Sequence, residues 1–431
     1  MLTVFARAFR IPELRRKLLF TLLIIVLFRI GQTLPTPNVN VKVLAETAVA
    51  GRKNNPLYGL VDLFSGGALL KLSVFALGIY PYITASIILQ LLTVVIPRLE
   101  ALKKEGQAGT TKITQYTRYL TVALAVLQGT TVVAMAATGR LLGGVPGSAD
   151  ILYDRGLAAV TTMVIVMTAG TAVVMWLGEL VTDRGVGNGM SILIFTQIAA
   201  VFPAQFWGIY KAKGPFVFTL VIIVGLAIMA GVVFVEQAQR RIPVQYAKRM
   251  VGRRMYGGSS TYIPLKVNQA GIIPVIFASS LLYLPSLAAQ FWPHAGWLGW
   301  VRPHLQQSDP WHMAAFFVLI IFFTYFYVAI TFNPTEVADN MKKYGGFVPG
   351  IRPGRPTAGY LDHVLSRITA PGALYLGFVA LVPMLSLALL KLGDEFPFGG
   401  TSILIVVGVG LDTVKQIEAR LQQRNYEGFL S

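Results

Sequence analysis

Apolar residues run along this chain in long blocks, and the length of the blocks is what first needs explaining. Windows of about 19 residues pick out ten of them, at 18–34, 73–96, 119–138, 157–180, 187–206, 215–236, 268–290, 312–332, 371–392 and 399–415. A helix rising 1.5 Å per residue needs about 20 residues to cross a hydrocarbon core of roughly 30 Å, so each block predicts one membrane-spanning helix. Three blocks are interrupted near one end. In "FALGIYPYITASIILQLL" (75–92) Gly78 and Pro81 disturb the helix, while Ile79, Ile83 and Ile87 recur four apart on one face. In "RGVGNGMSILIF" (184–195) the glycines precede Met190 and Ile194, again four apart. "NQAGIIPVIFASS" (268–280) opens on two amides and holds Gly271 and Pro274 within its first two turns. Aliphatic side chains at helical spacing ordinarily pack against other helices or lipid; the alternative reading is a pore lining.

The chain has 431 residues, 55% hydrophobic and 13% charged, a balance that excludes an ordinary soluble protein. Cysteine is absent, which removes disulfides, thiolate metal sites and cysteine nucleophiles. The formal net charge is +18, an excess suited to loops that meet anionic lipid headgroups or acidic partners. Ten spans put both termini on one side of the membrane. Of the 37 Lys and Arg residues, 26 then fall in terminus-side segments, ten on the opposite side and one, Arg29, inside the first span. The positive-inside bias therefore predicts cytosolic termini. Arg7, Arg10, Arg15, Arg16 and Lys17 precede the first block as in a signal peptide, but "RIGQTLPTP" follows without a small-residue cleavage site, so a retained first span is expected.

Two cytosolic loops, about 237–267 and 333–370, mix aromatics, Pro and Gly with Arg. They read either as protruding docking elements or as solvated loops whose charges fix topology. On the other side, "NPLYGLVDLFSGGALLKLS" (55–73) is moderately apolar, broken at Ser65, Gly66 and Gly67, and too short to span. It re-enters the protein under a shield of neighbouring groups, or lies on the surface as an amphipathic helix. Dividing the chain near 210 leaves five spans in each part. An odd number forces opposite insertion, the arrangement of inverted-repeat channels and transporters, with a path where the halves meet.

No catalytic constellation is present. His294, His304, His312 and His363 show no metal-ligand spacing, and no phosphate-binding glycine loop of the G-x-x-x-x-G-K-[ST] kind occurs, so any nucleotide energy comes from a partner. Glu179 stands at the cytosolic end of the fourth span, within reach of water. Arg29 is the clear intramembrane charge. At mid-membrane it costs at least about 2.5–3.5 kcal/mol, so it must face protein or water and bridge carbonyls or another helix.

Seven stretches, in order over nearly the whole chain, resemble the SecY family of bacterial protein-conducting channels. They are "ELRRKLLFTLLIIVLFRIG" (13–31), "LFSGGALLKLSVFALGIYPYITASIILQLLTVVIP" (63–97), "KKEGQAGTTKITQYTRY" (103–119), "MWLGELVTDRGVGNGMSILIF" (175–195), "PLKVNQAGIIPVIFASS" (264–280), "FNPTEVADNMKKYGGFVPGIRPG" (332–354) and "GGTSILIVVGVGLDT" (399–413). The resemblance implies an all-α integral membrane protein of ten transmembrane helices, in two inverted five-helix halves (1–206 and 207–431) around a central pore. It implies a constriction ring of Ile79, Ile83, Met190, Ile194, Ile276 and Ile405, in which Met190 departs from the usual branched aliphatic. It implies a plug at about 56–72, with Phe64, Ser65, Gly66 and Gly67 at its centre. It also implies a lateral gate with Gln90 on span 2 and Asn268, Gly271 and Pro274 on span 7, the two amides giving a contact of about 1 kcal/mol.

The same resemblance implies no cofactor and no enzymatic activity. The partners it implies are the small membrane subunits SecE and SecG, the ATPase SecA, the ribosome, signal sequences and nascent polypeptides, with Arg253, Arg254 and Arg352 as docking contacts. The membrane is the bacterial plasma membrane. Two other classes compete. A solute transporter should show a midplane cluster of polar ligands, which these spans lack; a scaffold or insertase leaves the broken spans 2, 5 and 7 unexplained.

Overall fold

The computed structural model describes residues 9, 11–44, 67–69, 71–139, 151–246, 249–251, 254–256, 260–279, 281–282, 309–390 and 400–427. The helices are α1 (Pro12–Thr33), α2 (Tyr80–Val95), α3 (Pro97–Lys104), α4 (Gln107–Ala137) and α5 (Leu157–Arg184), then α6 (Gly189–Lys211) and α7 (Gly214–Gln237), which are parted by non-helical Gly214 ahead of Pro215. They continue as α8 (Pro310–Thr331), α9 (Pro334–Lys343), α10 (Arg355–Leu390) and α11 (Gly400–Glu427). The strands are β1 (Gln239–Tyr246), β2 (Arg249–Val251), β3 (Arg254–Tyr256), β4 (Ser260–Lys266) and β5 (Gly346–Phe347).

Among the described residues, six helices are long and apolar enough to cross a membrane, and a seventh if α2 and α3, bent by 99°, form one span. The bend has a local cause: Ile96 precedes Pro97, is pushed out of the helical region, and sits extended at φ −99°, ψ 110°. The expected first and tenth spans fall on α1 and α11. The expected seventh begins in helical residues 273–279, and most of its later part lies outside the described residues. Large apolar side chains such as Leu23, Ile165, Ile223, Phe322 and Phe378 stand exposed on these helices, as lipid-facing residues do.

The chain forms two compact units. The first comprises Met1–Phe218, Leu392–Pro397 and Val409–Ser431; the second comprises Thr219–Lys391 and Phe398–Gly408. In the first, span 2 is helical only from Tyr80, because the residues before it form successive turns. These turns are tied to α1: the Val74 N–H donates to the Leu34 carbonyl at 2.8 Å, and Phe75 stacks on Phe28 with ring centroids 6.0 Å apart. Gly170 of α5 allows the Val74 carbonyl to approach where a side chain would collide. At the opposite end, Leu14, Val186 and Ile417 pack together, and Arg420 donates to the Gly185 carbonyl at 3.3 Å.

In the second unit, the two basic loops are not separate. β1 pairs antiparallel with β4, Ile242 opposite Ile263, and with β5, Gln245 opposite Phe347, so that both loops build one three-stranded sheet. Ile242 and Val244 alternate into a core with Leu265, Met341 of α9, and Leu361 and Val364 of α10. The Asn333 side chain starts α9 by accepting the N–H groups of Thr335 and Glu336. The second half of the expected loop is helical, since α10 begins at Arg355 and runs on through Pro371.

Candidate functional site

Ile79, Ile83, Met190 and Ile194 belong to the first unit. Ile79 is 2% exposed and opens α2: its carbonyl accepts the N–H groups of Tyr82 and Ile83, both at 3.1 Å. Gly78, just before it, has φ +53°, a conformation L side chains rarely adopt. A methyl group on Gly78 would fall on the amide of Gln197, which is 1% exposed and whose Nε2 has no hydrogen-bond partner. Gln197 stands one turn beyond Ile194 on α6. The break of span 2 is therefore seated against the helix that carries Met190 and Ile194.

The start of α6 is held in turn by Asn188, whose Oδ1 accepts the Met190 and Ser191 N–H groups at 3.1 and 3.3 Å. Thr182 of α5 accepts the Gly189 N–H at 2.9 Å. The Met190 thioether lies over Gly178 of α5, which has no side chain to keep it away. The flexible side chain that the sequence assigns to the constriction thus packs partly on a neighbouring helix.

Of the expected plug centre, Phe64, Ser65 and Gly66 lie outside the described residues; Gly67 is half-buried. Beyond it, Leu69 and Leu72 join a buried cluster with Val39, Leu77, Val133 and Met163. The Leu72 carbonyl accepts both the N–H and the hydroxyl of Thr36, at 2.9 and 2.8 Å. Around Leu69 and Leu72 the segment is thus fastened within the first unit.

Ile276 and Ile405 belong to the second unit. Ile276 is half-buried in helical residues 273–279, and Ile405, on α11, is 0% exposed. Asn268 is 3% exposed and donates to Glu236 Oε1 at 2.5 Å and to the Gly271 carbonyl at 3.2 Å. Both amide hydrogens of Asn268 are thus used within the second unit; Gln90, which the resemblance sets with it at the lateral gate, belongs to the first unit, and its side chain is exposed. Gly271 has φ +63° with open space around it, and Pro274 is buried.

Of the docking arginines, Arg253 lies outside the described residues, Arg254 begins β3 opposite Val251, and Arg352 is exposed just ahead of α10. Arg241 on β1 stacks on Tyr262 of β4, 4.8 Å from the ring centroid. Deeper charges are paired: Arg29 donates to Gln32 at 2.6 Å, and Arg118 of α4 forms a two-pronged pair with Glu179 of α5, both contacts at 2.8 Å. Among the described residues no group of His, Asp or Glu could hold a metal ion. Gln197 and Glu236 were not singled out from the sequence. The signal was there for Gln197, a lone amide inside the apolar run "MSILIFTQIAAVF" (190–202).

Long apolar helices interrupted at Gly78, at the turn 185–188 and at Gly271 define a multi-pass, all-α membrane protein with broken spans. Comparison with known proteins gives the family. The SecY family model matches residues 73–414. A curated protein translocase subunit SecY from Streptomyces scabiei is 66% identical over 100% of both chains. Among solved structures, one described as a protein conducting channel aligns with TM-score 0.60 at 19% identity, over 94% of this chain and 91% of that one. The canine Sec61 of a ribosome-channel complex aligns with TM-score 0.58 at 18% identity, over the same shares. The chain belongs to the SecY family.

Proposed function

We propose that this chain is the channel-forming subunit of a bacterial protein translocase: unfolded secretory polypeptides cross the membrane through it, and apolar segments leave it sideways into the bilayer. The observation that carries the reading is the 66% identity, end to end, with a protein translocase subunit. Residues 1–206 and 207–431 form inverted halves. Ile79, Ile83, Met190, Ile194, Ile276 and Ile405 constitute a narrow apolar constriction, which excludes ions by dewetting yet makes no sequence-specific hydrogen bond with a passing chain. The thioether of Met190 adapts to chains of different width. The segment at about 56–72, with Phe64, Ser65, Gly66 and Gly67, closes the path from outside. Gln90, Asn268, Gly271 and Pro274 line the lateral exit, through which apolar segments of about 20 residues gain by entering lipid.

The push comes from partners. Both termini and the joined basic loops face the cytosol of a plasma membrane, where Arg253, Arg254 and Arg352 meet the SecA ATPase or a translating ribosome. SecE and SecG complete the complex, and the positive excess favours anionic lipids. The test is site-specific crosslinking of a stalled precursor in reconstituted membranes, with probes at Ile83, Ile276 and Ile405 and a control at Phe322, which is 58% exposed on α8. Crosslinks at the three ring positions and none at the control are expected. An engaged precursor that leaves the ring positions unlabelled would move the assignment to a scaffold or insertase.

A further inference from the structure

We infer that Glu236, at the end of α7, is a positioning residue for the helix that begins at residue 273: acting through Asn268, it fixes the point from which that helix swings. The inference rests on the channel reading above, in which Asn268, Gly271 and Pro274 line the lateral exit.

Residues 267–272 connect β4 to that helix, and their first half is held from two sides. The Val267 N–H donates to the Ala238 carbonyl at 3.0 Å, and the Lys266 N–H to Gln269 Oε1 at 3.3 Å. The Asn268 side chain reaches Glu236 Oε1 and the Gly271 carbonyl. Both are acceptors, so the amide must turn its nitrogen to them, and its Oδ1 is left buried with no partner. A buried amide with one oxygen already unsatisfied is expensive to strip of its acceptors as well. On the other side Gly372 of α10 admits the Val267 carbonyl so closely that any side chain there would strike it.

The next residues are built differently. Gly271 takes φ +63° with nothing within 4 Å of where a side chain would be, and Pro274 falls in the first turn of the helix, where its missing N–H costs no helical hydrogen bond and its fixed φ marks where the helix starts. The hold of the Asn268 amide therefore ends on the Gly271 carbonyl, and the open space around Gly271 leaves the helix beyond it room to swing. The anchor is polar, not apolar, so it holds direction without adding the large burial that would weld the segment to its neighbours. Glu236 is the part of the anchor contributed by another span.

The test uses the complete complex in liposomes, reading resting ion leak and transport of a normal precursor for Glu236→Ala, Asn268→Ala, their double, Glu236→Gln and, as a control, Phe378→Leu, at a side chain 61% exposed on α10. Each alanine variant is expected to raise the leak about fivefold, the equivalent of about 1 kcal/mol for a polar contact between membrane helices. The double variant should leak no more than either single one, because one contact is lost in all three. Glu236→Gln keeps an acceptor and should stay near the unaltered chain, as should Phe378→Leu. Additive leaks, a Gln variant no better than Ala, or a normal leak in a well-assembled Glu236→Ala complex would overturn the inference. Should Glu236→Ala not assemble, Asn268→Asp, which sets a carboxylate against Glu236, decides with and without Glu236→Gln: a raised leak that Glu236→Gln relieves supports the coupling, and one that it leaves unchanged refutes it. If the unaltered complex transports no precursor, the channel reading itself fails; if it transports while the pair is uncoupled, only the role of Glu236 falls.

Discussion

Replacing Gly78 by alanine tests the geometry of the break in span 2 most directly. Gly78 lies at φ +53°, and the new methyl group would meet the Gln197 amide, whose Cδ is 3.4 Å from the added atom and whose Nε2 is closer still. Holding a non-glycine residue in the left-handed region costs about 1–2 kcal/mol. Pushing a fully buried Gln197 off its rotamer costs about 0.5–1.5 kcal/mol more. Together these predict a loss of about 1.5–3.5 kcal/mol if the break is to keep its shape. The alternative is that Ile79 shifts, and with it the proposed seal. The assay is denaturant unfolding in nanodiscs read beside resting ion leak in liposomes. Adding Gln197→Ala to Gly78→Ala should recover about 1 kcal/mol, since it removes the collision and deletes a buried amide nitrogen that has no partner. A Gly78→Ala chain within about 0.5 kcal/mol of the original, or one that Gln197→Ala does not help, would refute the reasoning.

Other expectations follow from single contacts. Arg118→Lys keeps the charge beside Glu179 but not the two-pronged geometry, and should cost about 1 kcal/mol in a double-mutant cycle with Glu179→Ala; a coupling under about 0.3 kcal/mol would show the pair to be idle. Asn333→Ala removes the cap of α9 and should cost about 1 kcal/mol, seen as faster hydrogen exchange in residues 335–343, with no change if water caps the helix as well. Under the proposed ribosome docking, Arg352→Ala should weaken binding and lower the salt slope by about one; salt-independent ribosome affinity would remove the phosphate-contact assignment.

The spans were legible because lipid demands long apolar runs and tolerates little else. Their ends were less so. Span 3 reads from the sequence as 119–138, but α4 starts at Gln107: Gly109 and four threonines in "QAGTTKITQYTRY" are weak helix formers, yet each of these threonine hydroxyls donates to the carbonyl four residues earlier and the helix runs through them. Span 2 reads as 73–96 and is helical from Tyr80, because Gly78 and the contact with Gln197 outweigh the helix propensity of its apolar neighbours. The strands were missed for another reason. Ile242 and Val244 alternate, a fair strand signal, but β5 is two residues long and pairs with a partner about a hundred positions away. The interruptions at Gly78 and Gly271 were visible as residue types; what they lean on, Gln197 in one case and the Glu236 anchor in the other, depends on tertiary contacts.

The joining of the two basic loops bears on anyone who exchanges parts between relatives. β5 contributes only Gly346 and Phe347, paired with Tyr246 and Gln245, and the core beneath draws Ile242 and Leu265 from one loop and Met341 and Leu361 from the following segment. A graft that carries over residues 237–267 alone brings a sheet edge and a core face shaped for a partner left behind. In chimeras the transplantable module is therefore the pair, 237–267 together with 333–370, although some 65 residues of chain, read from the sequence as two spans, lie between them.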